Sequence, residues 1–119
     1  MPQNYSDKLK DHYHNPRNTG KISDYNHTAE QINPLCGDEI RVFLKIRKLK
    51  IENLSYEVRG CMICVASASV VSEYAKGKTL PEIKKISLGG IEKMLKVSIS
   101  PARANCATLF VETIRKHTS

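Results

Sequence analysis

Apolar and polar residues alternate along two stretches in the middle of the chain. In residues 39–47 every second side chain is apolar, and residues 54–59 repeat the pattern. A period of two is typical of a strand with one buried face, so both stretches are predicted to be strands. Residues 48–53 turn or extend the first strand, which makes the pair an antiparallel hairpin with one face free for helices. The polar residues 22–32 are predicted to add an edge strand.

After Gly60 the spacing of apolar residues changes to that of a helix. From residue 61 to residue 76 they recur every three or four positions, and Gly77 is predicted to end this helix. Caps, prolines and periodicity predict further helices at residues 5–14, 79–87, 91–97 and from 101 onward. The glycine pair at 89–90 is predicted to break the chain. Together the elements predict one α+β domain over residues 1–119, a three-stranded antiparallel sheet with helices packed on one face.

The chain carries a formal net charge of +7, which raises the question of nucleic acid. Its densest basic stretch, residues 45–50, interleaves lysine and arginine with leucine and isoleucine, as the solvated face of a hairpin does. The chain has no tryptophan, and aromatic residues that could stack on bases are scarce. This composition argues against nucleic-acid binding. A basic surface also steers association with acidic protein partners.

The composition also bears on the compartment. No apolar run approaches the roughly 18 residues that a membrane helix needs, and no apolar h-region follows the first residues. The expected location is therefore the cytoplasm, with no membrane association, or an organelle matrix if a transit peptide has been removed. Four cysteines in such a reducing compartment indicate metal binding or catalysis rather than disulfides.

Cys61 stands just before the helix that is predicted to follow Gly60. A thiol at that position faces free backbone N–H groups and the positive end of the helix dipole, which favours the thiolate. Cys64 lies one turn further on, where it can face either the site or the core, and the core is the favoured prediction. A thioredoxin-like redox pair of these two residues is an alternative, but the βαβ context expected for such a pair is missing.

Cys36 and Cys106 lie in comparable settings. Cys36 and Asp38 are two residues apart in chain that enters a strand, so their side chains point to one side, and Gly37 leaves room for a partner. A carboxylate beside thiolates is unusual for a purely structural zinc site. The alternative is that Asp38 is a turn residue. Cys106 follows Arg103 by three residues on a predicted helix, where the arginine should lower the thiol pKa; the alternative is a buried core cysteine.

The fold is therefore predicted to bring Cys36, Cys61 and Cys106 together. His12 and His14 could also ligate a metal, but histidines on a helix face are more often structural or solvated.

Four segments then stand out by their order and spacing. They are residues 11–20 (DHYHNPRNTG), 33–38 (NPLCGD), the Gly60-Cys61 pair with 66–69 (ASAS), and 101–109 (PARANCATL). Over nearly its whole length the chain resembles the IscU/NifU/SufU family of iron–sulfur cluster assembly proteins. The fold of that family is a three-stranded antiparallel sheet with helices packed on it, in agreement with the pattern above.

The resemblance implies that Cys36, Asp38, Cys61 and Cys106 bind zinc or a nascent [2Fe–2S] cluster. It implies further that a cysteine desulfurase delivers persulfide sulfur to the site, with Cys106 and Cys61 as acceptors. A labile cluster would then pass to apo iron–sulfur acceptor proteins. In this role the protein is a scaffold rather than an enzyme.

Two departures from the family pattern keep alternatives open. The IscU branch has a histidine just before its last cysteine, whereas this chain has Asn105, and its last motif resembles the SufU branch, which is associated with zinc and sulfur transfer. The longer segment of SufU proteins before the last helix is absent, and Cys64 is additional to the usual three cysteines. One alternative is therefore a zinc-bound sulfurtransferase of SufU type that relays sulfur without holding a cluster. The other is a zinc-stabilised nucleic-acid or protein-binding module.

Overall fold

The computed structural model describes residues 5–34 and 37–117, which form a three-stranded antiparallel sheet with helices on its inner face. The strand order is β1 (His27–Ile32), β2 (Glu39–Arg47) and β3 (Lys50–Arg59). Pairing places Ala29 opposite Val42 and Val42 opposite Tyr56, and all three side chains are buried. This confirms the predicted fold class, and the bounds of β2 are those that its alternation predicts.

The hairpin between β2 and β3 is tighter than predicted. Its two turn residues, Lys48 and Leu49, have φ angles of 54° and 69°. A two-residue turn with both central φ angles positive matches the right-handed twist of the flanking strands. Pairing therefore resumes at Lys50, opposite Arg47, and β3 begins four residues before the predicted position 54.

The edge strand is shorter than predicted, because residues 19–26 follow a different path. Gly20, with a φ of 107°, donates its N–H to the carbonyl oxygen of Tyr56 at 2.8 Å. The N–H of Ile22 donates to Ser55 Oγ at 2.9 Å. Tyr25 then packs on Phe43, with 5.1 Å between the ring centroids. Strand β1 accordingly begins at His27 rather than at residue 22.

Six α-helices and one 3₁₀ turn are present in the described part of the chain. In chain order they are α1 (Asp7–His14), α2 (Met62–Ala75), α3 (Leu80–Lys84), α4 (Leu88–Leu95), the 3₁₀ turn Pro101–Arg103, α5 (Ala104–Ala107) and α6 (Leu109–His117). Helix α2 contacts α1, β3, α4, α5 and α6 and is buried on nearly all sides. None of the helices in residues 5–34 and 37–117 is long and apolar enough to cross a membrane.

Two predictions for the C-terminal half are wrong. Gly89 and Gly90 do not break the chain but lie in the first turn of α4, where Ser87 Oγ accepts the Gly90 N–H at 3.1 Å. This cap supplies the bond that initiates the helix despite the weak helix propensity of glycine. The segment after Ser100 is not one continuous helix, since it divides into the 3₁₀ turn, α5 and α6. Ser100 makes no side-chain cap hydrogen bond.

A buried polar network joins α1 to α2. His12 is buried, with Nδ1 2.7 Å from Ser69 Oγ and Nε2 3.4 Å from a Glu73 oxygen. The same Ser69 oxygen accepts the backbone N–H of Arg17 at 3.0 Å, which leaves its own hydroxyl hydrogen free to donate to the imidazole. The structure thus gives His12 a structural role, in agreement with the sequence analysis, while His14 is exposed.

The position of His12 predicts that the protein loses stability in mild acid. Burial, and then the nearby Arg17 charge, lower the pKa of His12 below its ordinary value of 6.5, although Glu73 and Asp11 oppose the shift. The unfolded chain therefore binds more protons than the folded chain. The stability that neutral His12 contributes is complete above the unfolded pKa and is lost as the pH falls through the lower folded value.

Denaturant unfolding between about pH 7 and about pH 5 measures this effect. The His12→Asn variant, which cannot titrate, should show a flatter dependence of unfolding free energy on pH. The matched variant His14→Asn, at an exposed position, should keep the wild-type slope. An unchanged slope in His12→Asn would contradict the assignment.

Candidate metal centre

Three of the four predicted ligands meet at one end of the molecule. A carboxylate oxygen of Asp38 and the Sγ atoms of Cys61 and Cys106 all lie within 4.8 Å of one another. Each comes from a different element: the residue before β2, the residue before α2, and α5. Cys36, the remaining predicted ligand, lies outside the described residues.

Cys61 owes its orientation to its place at the start of α2. It is the N-cap residue, with φ −72° and ψ 172°, and its thiol makes no cap hydrogen bond. The side chain is therefore directed to the site rather than to the helix backbone, and it lies 3.7 Å from Asp38 Oδ2. The free N–H groups of the first helical turn add a positive potential at this point.

Asp38 is buried, with 6% of its surface exposed, although it belongs to a turn. Its carbonyl oxygen accepts the Asn33 N–H at 2.7 Å, and Gly37, at a φ of 79°, donates to the Asn33 carbonyl at 2.8 Å. The backbone of Asp38 therefore closes the turn, as the alternative prediction stated. Its carboxylate is directed to Cys61 instead. The turn interpretation therefore applies to the backbone of Asp38, and the ligand prediction concerns its side chain.

Gly60 provides the space that the carboxylate occupies. A β-carbon built at this position would lie 2.8 Å from Asp38 Cγ and about as close to both carboxylate oxygens, at 3.0 and 3.1 Å. Such contacts are far shorter than carbon atoms tolerate. From the sequence, Gly60 marks only the point at which the apolar spacing becomes helical, and this steric role was missed. The register of the hairpin could have indicated it, because Glu39 pairs with Arg59, which places Asp38 and Gly60 next to each other just beyond the paired ends of β2 and β3.

Arg103 lies at the rim of the site and interacts with both thiols. Its pKa is raised by the negative charge of Cys61 first and by a hydrogen bond to Cys106 second. The sequence analysis paired Arg103 with Cys106 alone, on one face of a continuous helix. Because Arg103 instead belongs to the 3₁₀ turn, its guanidinium serves both sulfur atoms. The cation is exposed and partly offsets the charge of the ligand group.

Cys64 is in the core, as favoured from the sequence, but directly beneath the site. Only 1% of its surface is exposed, and it lies close enough to Asp38 for the carboxylate to affect its thiol. Burial raises its thiol pKa well above the ordinary value, and the charge of Asp38 adds to that shift. Cys64 does not belong to the group of three ligand atoms found in the described residues.

The donor set fits a thiophilic metal ion. A zinc–sulfur bond of about 2.3 Å places two ligand sulfurs about 3.8 Å apart in a tetrahedron, so a group within 4.8 Å needs only a small contraction. Thiolates suit zinc and iron, and the carboxylate is a harder, weaker partner for either in a sulfur-rich site. The described residues thus supply two sulfur ligands and one oxygen ligand.

The contact between Gly60 and Asp38 predicts a specific effect of one methyl group. Gly60→Ala should push the carboxylate away from Cys61, lower the melting temperature, and weaken zinc binding by about 10- to 100-fold, as the loss of a supporting contact does. In the Asp38→Ala background the same substitution should have little further effect, because the obstructing carboxylate is gone.

Competition with a chromophoric chelator measures the zinc affinity. Gly89→Ala is the matched control, since a β-carbon there would lie 3.8 Å from its nearest neighbour, Ser87 Oγ. That variant should bind zinc as the wild type does. Equal losses from Gly60→Ala with and without Asp38 would refute the steric explanation.

Comparisons with known proteins agree with this geometry. The model of the NifU-like N terminal domain family matches residues 4–118. The iron-sulfur cluster assembly scaffold protein IscU 1 of Archaeoglobus fulgidus is 35% identical over 112 residues, which cover 94% of this chain and 72% of the relative. The zinc-dependent sulfurtransferase SufU of Bacillus subtilis is also 35% identical, over 94% of this chain and 87% of its own length.

Solved structures show the same fold. The crystal structure of FiSufU from Fervidobacterium islandicum AW-1 superposes with a TM-score of 0.82 at 27% identity and covers 95% of both chains. A NifU-like N-terminal structure from Brucella abortus superposes with a TM-score of 0.80 at 19% identity, over 94% of this chain and 90% of that chain. The chain therefore belongs to the NifU-like N-terminal domain family, together with IscU and SufU proteins.

Proposed function

We propose that the protein assembles or relays a labile [2Fe–2S] cluster on Cys36, Asp38, Cys61 and Cys106, using persulfide sulfur from a cysteine desulfurase. The observation that carries this proposal is the meeting of Asp38, Cys61 and Cys106 within 4.8 Å at the start of a helix. Iron–sulfur clusters are held by thiolates, and the family relationship supports the same use of this site.

Three residues of the chain take part in the proposed acceptance of sulfur. A thiolate of Cys106 or Cys61 attacks the outer sulfur of the donor persulfide, and the donor cysteine leaves as its thiolate. Arg103 lies beside both acceptors and stabilises their anionic forms. Cys61 is partly exposed, so a donor can reach the site from solvent. Iron and sulfide are cargo here, and the partners are the desulfurase and apo iron–sulfur acceptor proteins.

Zinc is the proposed resident metal when no cluster is present. Bound zinc would keep the thiolates deprotonated and hold the ligand loops together. The ligands for it are the three residues that meet in the described structure and Cys36. Thiolate ligands survive in a reducing compartment, so the proposed place of action is the cytoplasm.

A zinc-dependent sulfurtransferase is the second candidate function. The similarity to the Bacillus subtilis SufU over 94% of this chain favours it, as does Asn105 in the place of a histidine. In this case one thiolate leaves zinc, takes the persulfide sulfur and passes it on without cluster formation. Both candidates use the same residues, so a chemical experiment has to separate them.

Anaerobic reconstitution with iron, cysteine and a desulfurase separates the two candidates. A scaffold should develop the visible absorption of a cluster and contain iron and sulfide, whereas a sulfurtransferase should retain about one zinc per chain. Cys61→Ser should abolish stoichiometric metal, while Cys64→Ser should keep it, because Cys64 lies outside the ligand group. Metal analysis of both variants checks this, and metal loss in Cys64→Ser alone would disprove the ligand assignment.

Asp38 is expected to keep the cluster labile. An oxygen ligand is more easily displaced from iron than a thiolate is, so Asp38→Ala should release its cluster to an apo acceptor more slowly and keep it longer in air. If the Asp38 carboxylate served only local structure, the substitution would instead cost about 1 kcal/mol of stability, as a lost side-chain cap does, and leave transfer unchanged. Measuring the transfer rate and the melting temperature of the same variant distinguishes these results.

A further inference from the structure

Two cysteines occupy the first turn of α2 in positions that allow a disulfide. Cys61 is the N-cap, and Cys64 follows three residues later in the same turn. Residues three apart in one helical turn have α-carbons about 5 Å apart, within the roughly 4.4–6.8 Å that disulfides span, and the extended backbone of the N-cap Cys61 frees its side chain from the helical position. Both residues carry free thiols in this structure.

The surroundings of the two thiols suit different roles. An exposed cysteine can receive sulfur from outside, and a buried cysteine beside it can resolve the resulting persulfide. Cys61 is partly exposed and borders Arg103, so it can meet a sulfur donor. Cys64 is buried and can react only with a neighbour inside the protein. The proposed metal centre does not use Cys64 as a ligand, so its thiol has no assigned role.

One carboxylate lies next to both sulfur atoms. Asp38 Oδ2 is 3.7 Å from Cys61 Sγ, and the Asp38 carboxylate is close enough to the Cys64 thiol to raise its pKa. The two thiols therefore share one polar neighbour at the start of α2.

We propose that, in the metal-free chain, Cys64 reduces a persulfide carried on Cys61 and releases its outer sulfur as hydrogen sulfide. The inference rests on the proposed function in one respect, namely that Cys61 receives persulfide sulfur. It adds a chemical activity, since a persulfide bond must be reduced before its sulfur can enter a cluster as sulfide.

The step is a thiol–disulfide exchange that balances without any further reagent. The Cys64 sulfur attacks Cys61 Sγ, the Cys61–Cys64 bond forms, and the bond between Cys61 Sγ and the outer sulfur breaks. The outer sulfur leaves with its own hydrogen and takes up the proton that Cys64 gives up, as hydrogen sulfide. The persulfide is reduced and the Cys64 thiol is oxidised. A dithiol reductant would return the disulfide to two thiols for another turnover.

A metal on Cys61 should switch this activity off. A Cys61 thiolate that is bonded to zinc neither carries a persulfide nor forms a disulfide with Cys64. The site would then have two states: a metal-bound state that holds the ligands together, and a metal-free state that produces sulfide.

The test uses metal-free protein loaded with glutathione persulfide under anaerobic conditions, desalted and left without reductant. The wild type should release sulfide at least about tenfold faster than Cys64→Ala, which should keep the added sulfur on Cys61. Mass spectrometry of tryptic peptide 60–76 reads the result directly, because this peptide holds Cys61 and Cys64 and lacks the other two cysteines. In the wild type it should contain an internal disulfide.

Ser67→Ala is the matched control. Ser67 is buried on α2 one turn beyond Cys64, and its hydroxyl has no hydrogen-bond partner among the described residues. That variant should release sulfide at the wild-type rate. Zinc-loaded wild type should release none. If Cys64→Ala fails to fold, the wild type can be equilibrated with a glutathione redox buffer instead. The Cys61–Cys64 disulfide should then appear within peptide 60–76.

Equal sulfide release from the wild type and Cys64→Ala would overturn the proposal. A redox-buffer disulfide that joins Cys61 to Cys36 or Cys106 would overturn it as well. Because glutathione persulfide replaces the desulfurase, these results are independent of whether a desulfurase serves this protein. Failure of desulfurase transfer alone would count against the proposed function and leave the sulfide-release result in place.

Discussion

The close approach of the Asp38 carboxylate to the bare Cα of Gly60 is the contact on which the metal centre depends. A strand end and a helix start can meet this closely only where one of them lacks a side chain. The carboxylate then lies next to two sulfur atoms in a buried position. Three potential anions in one small volume repel one another, and a cation between them relieves that repulsion. Arg103 and the helix N-terminus offset only part of it, which is why a metal ion suits the site.

Helix α2 connects this centre to the rest of the fold. Its first turn carries Cys61 and Cys64, while its middle carries the small side chains that let α1 approach. Ser69 accepts the Arg17 N–H and contacts the imidazole of His12, so the middle of the helix is held against α1 and the segment that follows it. Because α2 is packed on nearly all sides, the position of its N-terminus is set by the whole core. The spacing of the ligand atoms is therefore a property of the fold rather than of any one loop.

The proposed second role of the site follows from the same geometry. Cys64 is covered by the core yet lies against Asp38, a position that a purely structural cysteine does not need. Under the proposed function the site binds and releases its cargo, and Cys61 is then free of metal in some states. In those states the nearest reactive group inside the protein is the Cys64 thiol. One helix turn thus places the proposed metal ligand Cys61 and the proposed electron donor Cys64 beside a single carboxylate.

The local sequence pattern alone predicts much of the secondary structure of this protein and the meeting of part of its site. Alternation predicts the bounds of β2, and the change of period places α2. The settings of the cysteines predict that Cys36, Cys61 and Cys106 converge, and Cys61 and Cys106 do lie close together. Tertiary structure decided what no local pattern contains. Ser87 starts a helix at the glycine pair 89–90, and the division of the last helix turns Arg103 towards both thiols. The register of the tight β2–β3 hairpin, which pairs Glu39 with Arg59, brings Gly60 against Asp38. Such contacts depend on how elements pack, and packing is the sum of many long-range interactions that a local pattern does not record.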